Sequence, residues 1–506
     1  MRGVVAAGHP LTAEAGAQVL RDGGNAVDAA VAAVLMSFVA ESPLTGPGAG
    51  GFMLVHTAEG ENQLLDFFVA APGEGLSGVQ PAALQPIDVH FSAEAIQVFN
   101  IGPSSCGVYG TLAGLDEAVR RFGTMPLSAL VERPARAARD GVKLTPMGAS
   151  FLVILGPILT ATPEGCAVYA PEGDLLKTGE HIRMVELADL LERLGAEGPA
   201  FAYTGDVAKA VSAWVLERGG LITEADLANY APVDRQPVRA YYRGREMLTN
   251  PPPSSGGILI AYSLDLLERL GRSDVRTLVE VMDRTNRERT DEFVQGLHAE
   301  GYLERFLHKE ALETAATELG TRLGSTTHIA ALDADGACAS VTCSNGSCSG
   351  VIVPGTGIHL NNMLGEEDLN PGGFHRHQPG RRIPSMMAPT VVLRDGQPEV
   401  ALGSAGSNRI RSAILQTTLR VVDDGLPAEQ AVAAPRVHYE GRMVEAEPGV
   451  DEDALAALQR SGWPIQRFRE RNLYFGGVQA VARDPATGEL SGGGDPRRGG
   501  AAVVVE

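Results

Sequence analysis

Residues Gly324–Gly346 read GSTTHIAALDADGACASVTCSNG, and the change of pattern at the two threonines decides the fold. Upstream, Tyr302–Leu319 (YLERFLHKEALETAATEL) carries helix formers and charges at helical spacing. Downstream, Thr327–Leu332 and Ala337–Ser344 are short runs of small and β-branched residues, and Asp333-Ala334-Asp335-Gly336 between them supplies the turn chemistry of a hairpin. Thr326 therefore stands where a β-sheet begins, in mid-chain. A threonine hydroxyl is a weak nucleophile that needs an adjacent base. A freed α-amino group, with a pKa of about 7.7 to 8.0, is a base that comes attached to it. Cutting the bond between Ser325 and Thr326 would create a catalytic pair at one residue; taken alone, Ser-Thr-Thr-His reads first as ordinary strand-start chemistry, since β-branched residues favour strands.

Outward from this stretch, the first quarter alternates helices with glycine-marked turns. Thr12 is expected to cap a helix through Leu20 that stops at Gly23-Gly24, and Asn25 to cap a second one running to about Ala40. The second is apolar nearly all round, which places it in the interior. From Leu115 to about Leu319 the pattern is mostly amphipathic helix, as in Leu127–Asp140 and Val207–Glu217. It is interrupted at Asn250–Gly257 (NPPPSSGG), which cannot be helix. After Thr326 strands dominate, at Pro389–Leu393, Glu399–Leu402, Val478–Arg483 and Ala501–Val505, with helices at Asn408–Val422 and Glu452–Ser461 among them. No fixed-period repeat or long linker separates the two parts, so they should interleave in one α/β body.

Composition narrows the function. The 506 residues carry a formal charge of −20 and no basic run longer than an arginine pair such as Arg381-Arg382, which speaks against nucleic acid as a partner. The longest apolar runs, Ala29–Ala40 and Phe151–Ala161, fall short of the roughly 20 residues a membrane span needs and read as buried elements. The N-terminus lacks the ordered regions of a signal peptide, so a cytoplasmic location with reduced cysteines is expected. Cys106, Cys166, Cys338, Cys343 and Cys348 match no common zinc spacing and read as small core fillers. Gly46–Gly51 (GPGAGG) imitates a dinucleotide loop but leads into a strand-like stretch, so it reads as a tight turn. His375-Arg376-His377, with Glu366, Glu367 and Asp368 upstream, offers metal-ligand types. Its loop, NPGGFHRHQPG, reads as solvated or substrate-facing. Neither a metal nor a cofactor is expected.

Eight ordered motifs carry a resemblance across essentially the whole chain. They are Gly23–Ala30 (GGNAVDAA), Gly50–Leu54 (GGFML), Gly123–Pro126 (GTMP), Gly219–Thr223 (GGLIT), Pro251–Gly257 (PPPSSGG), Thr326-Thr327-His328, Ser385–Thr390 (SMMAPT) and Ala434–His438 (APRVH). The chain resembles the γ-glutamyltranspeptidase family of N-terminal-nucleophile hydrolases. The resemblance implies a four-layer αββα sandwich, made as a precursor that cuts itself before Thr326 into a large subunit (1–325) and a small one (326–506) forming a heterodimer. It makes Thr326 the nucleophile for processing and turnover, with its own amine as base. A second hydroxyl assisting that amine falls on Ser344 by spacing, with Thr342 as the other candidate. Gly406 and Ser407 match the backbone donors of the oxyanion hole.

The substrate pocket departs from the family. The arginine of its Asp-Phe-Arg motif, which grips an α-carboxylate, is Phe68 after Asp66-Phe67. Of two serines before the Met-x-Pro stretch the first is Ser385, but the second is Met386. The glutamine expected after Asn361-Asn362 is Met363, leaving Asn345 and the acids Glu366 to Asp368 as polar remnants. Each lost charge-assisted hydrogen bond is worth about 1.5 to 3 kcal/mol, so a γ-glutamyl head group should bind poorly. The expectation is a hydrolase or acylase for a small-molecule substrate that is not γ-glutamyl, such as a short acyl amide. The resemblance also admits a carbon–carbon bond beside an oxalyl-type carbonyl, as in the branch serving alkylproline biosynthesis. Arg376, Arg381 and Arg409 are the candidates to read a substrate carboxylate. The alternatives are a true γ-glutamyl hydrolase or transferase and an unprocessed, non-catalytic homologue.

Overall fold

The hairpin around Gly336 is the centre of the molecule. In the computed structural model, which describes residues 2–90, 96–307 and 326–506, strands Thr327–Asp333 and Cys338–Ser344 pair antiparallel from Thr327 opposite Cys343 to Leu332 opposite Cys338. The Asp333 carboxylate closes the turn by accepting from the amides of Asp335 and Ala337. It also accepts from the Ala26 amide at 3.0 Å, which fixes the hairpin to the start of a helix. Side chains alternate as a strand requires: Ile329, Ala331, Ala339 and Val341 face one core and Ala330, Leu332 and Cys338 the other.

Both cores lie against this hairpin because two sheets stack. A seven-stranded sheet runs in the order Ala501–Val505, Gly3–Ala7, Thr327–Asp333, Cys338–Ser344, Gly50–His56, Asn62–Phe67, Val233–Arg235. A six-stranded sheet runs Leu490–Gly494, Gly477–Arg483, Gln397–Ala405, Thr390–Arg394, Arg245–Thr249, Val238–Tyr242. Helices Pro10–Arg21 and Ala26–Ala40 cover the outer face of the first sheet, and Gly256–Leu270 and Arg409–Val422 that of the second. The result is the expected αββα sandwich. Helix Ala26–Ala40 is buried almost throughout, and its start is held by a capping box in which Asn25 and Asp28 satisfy each other's amides. Cutting a large side chain from such an interior, as in Leu35→Ala, costs about 2 to 5 kcal/mol.

Some local expectations are corrected. The first helix starts at Pro10, and His9, not Thr12, caps it through its ring nitrogen. The middle of the chain is not mainly helical throughout: Val238–Tyr242 and Arg245–Thr249 form a hairpin at the edge of the second sheet. The run Phe151–Ala161 belongs to helix Pro146–Leu159 and is only partly buried, since Val153 is 68% exposed. Of the helix expected over Tyr302–Leu319 the described part is Tyr302–Leu307, and its remainder and Ser325 lie outside the described residues. All five cysteines are free thiols, four of them buried, and burial pushes Cys106 up to about 12. No helix among the described residues is long and apolar enough to cross a membrane.

Candidate active site

Register places the hydroxyls. One step beyond the Thr327–Cys343 pair, residue 326 stands opposite residue 344, and Thr326 Oγ1 donates to Ser344 Oγ at 3.2 Å. The Gly346 amide donates to the same Ser344 oxygen at 3.0 Å. Thr342, the other candidate, stands opposite His328, and its Oγ1 lies 2.8 Å from the His328 ring Nδ1. His328 is buried between the sheets, and burial lowers it to about 3, so the imidazole is neutral. A Cβ on Gly403 of the facing sheet would come within 2.4 Å of that ring, which is why the close approach needs glycine there. Thr327 points to the other side of its strand and donates to the Glu41 carboxylate at the end of helix Ala26–Ala40. Burial raises Glu41 to about 7 against the pull of that hydrogen bond.

Thr326 is 6% exposed and opens onto a cavity of ≈ 50 Å³, room for a small group. Phe68, Met363 and Met386 form its apolar wall, and Phe68 stacks on Phe52 with ring centroids 5.2 Å apart. Ser385, Glu366, Asp368 and Ser407 supply its polar edge. The stretch carrying Ser385 and Met386 is held by the proline-glycine loop: Ser254 Oγ donates to the carbonyls of Ser385 and Met387, and Asn250 to that of Met387. Glu366 accepts from the amide and hydroxyl of Ser347, and burial, then the neighbouring Asp368, raises it to about 7.

Ser407 Oγ donates to Asp368 at 2.8 Å. Gly406 and Ser407 have φ of 122° and 50°, so the serine adopts the left-handed conformation that a glycine would reach without strain. Among the described residues neither amide has an acceptor, as a pair of donors kept for a ligand oxygen requires.

The remaining predicted residues lie elsewhere. Asn345 is buried in the loop after the hairpin, where its side chain reaches the His359 carbonyl at 3.4 Å, and does not line the cavity. Arg376 and Arg381 are exposed. Arg409 is fully buried with its guanidinium over the Tyr474 ring. None of the three lines the cavity, so the expectation that one reads a substrate carboxylate there is not met. Sequence reasoning missed the cations that serve Asp66. Its carboxylate is paired with Arg235 at 2.6 Å and Arg382 at 3.4 Å, and it accepts from the Phe68 amide at 2.9 Å. Arg235 and Arg382 are remote in sequence from Asp66, and no local motif marks them. Together the hydroxyl pair and the two unclaimed amides form a site suited to acyl transfer.

Comparisons with known proteins agree with this geometry. The sequence model described as gamma-glutamyltranspeptidase matches residues 12–505. The chain is 32% identical to the Acylase ACY 1 proenzyme of Pseudomonas sp. (strain V22), over 100% of this chain and 94% of that one. It is 31% identical to the glutathione hydrolase proenzyme of Bacillus subtilis (strain 168), over 99% and 91%. Among solved structures it is similar to cephalosporin acylase from Bacillus halodurans, with a TM-score of 0.83 and 27% identity over 100% of this chain and 96% of that one. The chain belongs to the gamma-glutamyltranspeptidase family and is an enzyme of the N-terminal-nucleophile hydrolase type.

Proposed function

We propose that the protein is an autoprocessing acylase acting through Thr326 on a short acyl group that carries no carboxylate. In processing, Thr326 Oγ adds to the Ser325 carbonyl carbon, the C–N bond breaks, and the acyl group passes from nitrogen to oxygen. Water hydrolyses the ester, leaving a carboxylate on Ser325 and a free α-amine on Thr326. In turnover that amine takes the hydroxyl proton as Oγ attacks the substrate carbonyl. The Gly406 and Ser407 amides donate to the oxyanion, the proton passes to the leaving amine, and water then releases the acyl group. Ser344 Oγ orients the amine, and Asp368 holds Ser407 in its strained turn.

The observation that carries this reading is the Thr326–Ser344 pair on a small cavity whose lining among the described residues contains no basic side chain. An α-carboxylate there would face Phe68, Glu366 and Asp368 with no cation to receive it. Relatives named acylases support the reading. A second reading, a γ-glutamyl hydrolase, draws on the two acids, which suit a substrate amino group, and on the relative named a glutathione hydrolase. Steady-state kinetics separates the two. A panel of short neutral acyl amides and α-keto acyl compounds should contain a substrate whose kcat/KM exceeds that of a γ-glutamyl anilide by far more than tenfold. A ratio within about tenfold, a gap of only ~1.4 kcal/mol, favours the γ-glutamyl reading.

A further inference from the structure

Behind the Gly406–Ser407 turn the buried charges do not balance. Arg409 begins helix Arg409–Val422, is fully buried, and has no hydrogen-bond partner on any of its three guanidinium nitrogens among the described residues. The Tyr474 ring, 4.9 Å from Cζ, offers it a π face but no hydrogen-bond acceptor of the ordinary kind. A guanidinium has five N–H donors, and burying all of them unmet is among the most costly arrangements an interior can hold. Arg498 Nε is buried and unpartnered as well, and the buried Tyr474 hydroxyl and Glu445 carboxylate face each other without closing a full hydrogen bond.

These groups belong to one neighbourhood. Glu445 stands opposite His438 in a strand pair, and the His438 ring is 6.1 Å from that of Tyr474. Arg498 Nη2 reaches the carbonyl of Leu473, next to Tyr474, at 3.4 Å, and also lies 3.4 Å from where a Cβ on Gly406 would be. Other arginines here have counter-charges: Arg289 and Arg411 share Glu440, Arg436 has Asp495, and Arg497 has Glu447 and Asp495. Among the described residues Arg409 and Arg498 have no carboxylate in direct contact, and Glu445 and Asp495 act on them only from farther off. Glu445 is raised to about 7 by burial, so near neutral pH it is only partly ionised and can donate through its carboxyl proton.

We propose that Arg409, Arg498, Tyr474 and Glu445 enclose a site for a small monovalent inorganic anion of halide size, seated behind the Gly406–Ser407 turn. Burial of the four polar ends limits the occupant to one or a few atoms, and two cations with no carboxylate in direct contact call for a charge that water cannot supply. The occupant would accept from Arg409 and so tie it to the turn, whose Gly406 carbonyl accepts from the Arg409 amide at 3.0 Å. The proposal is independent of the catalytic reading.

The test is anomalous diffraction at the bromine edge from crystals of the full protein in bromide, paired with melting in chloride and in gluconate at equal ionic strength. The expected results are an anomalous peak within hydrogen-bond distance of Arg409 and a chloride-specific rise in Tm of about 2 °C or more that saturates. That rise should vanish in Arg409→Met. A water without anomalous signal at the position overturns the proposal. So does a bromide peak unaccompanied by any chloride-specific shift, which marks an adventitious ion only. If Arg409→Met does not fold, the wild-type crystal and melting curves decide alone.

Discussion

Thr326 Oγ1 and Ser344 Oγ stand 3.2 Å apart because a hairpin with a fixed register delivers them, and the same register gives Thr342 to His328. The two hydroxyls considered from spacing thus have separable consequences. Ser344→Ala should slow turnover by about 10²-fold, the low end for loss of a group that manages a proton, while the protein stays folded. Thr342→Val should leave turnover near wild type but lower stability by about 1 to 3 kcal/mol, because it strips a buried imidazole nitrogen of its partner. Kinetics and melting of the two variants check this, and the opposite assignment of effects would move the assisting role to Thr342. At this scale Thr326, Ser344, Phe68, Met363 and Met386 were legible because each sits in a motif of short range. Arg382 was not, since burial chooses it over its neighbour Arg381 only once the strand beside Asp66 is in place.

Elements next to Thr326 carry a buried acid. Glu41 ends helix Ala26–Ala40 and bonds to Thr327, and its pKa is raised from 4.5 to about 7 by burial. Its folded pKa lies above the unfolded value, so the stability it contributes is fully present below about pH 4.5. That contribution, about 3 kcal/mol, is lost as pH rises through about 7. His328, lowered to about 3, works in the other direction, opposing stability as pH falls below 6.5. Glu41→Gln keeps an acceptor for Thr327 and removes only the titration. On going from about pH 5 to about pH 8 the wild type should lose more Tm than this variant, and equal losses would remove Glu41 as the cause. Element reading from sequence succeeded where the period was clean, as at the hairpin after Thr326 and the helix capped by Asn25. It failed at Val238–Thr249, although Val238, Ala240 and Tyr242 alternate as buried residues, because helices surround that hairpin in sequence. His9 was passed over as a cap because a ring nitrogen seldom plays that part.

For the whole molecule, the αββα sandwich follows from strands before and after Thr326 sharing both sheets. Strand Thr327–Asp333 lies between Gly3–Ala7 and Cys338–Ser344, and the second sheet takes two strands from the first part of the chain. A cut before Thr326 would therefore leave two chains held by sheet hydrogen bonds and common cores. They should co-elute as one species in native gel filtration and separate only in denaturant. Fragments that part without denaturant would contradict the interleaved architecture. The central claim, that Thr326 is a nucleophile released by its own attack, is tested most directly by N-terminal sequencing of the purified wild type beside Thr326→Ala. The account predicts fragments of about 34 and 19 kDa from the 53.1 kDa chain, the smaller beginning Thr-Thr-His-Ile, and a single uncut chain for the variant. A wild type that stays whole, or a Thr326→Ala chain cut at the same bond, would contradict it.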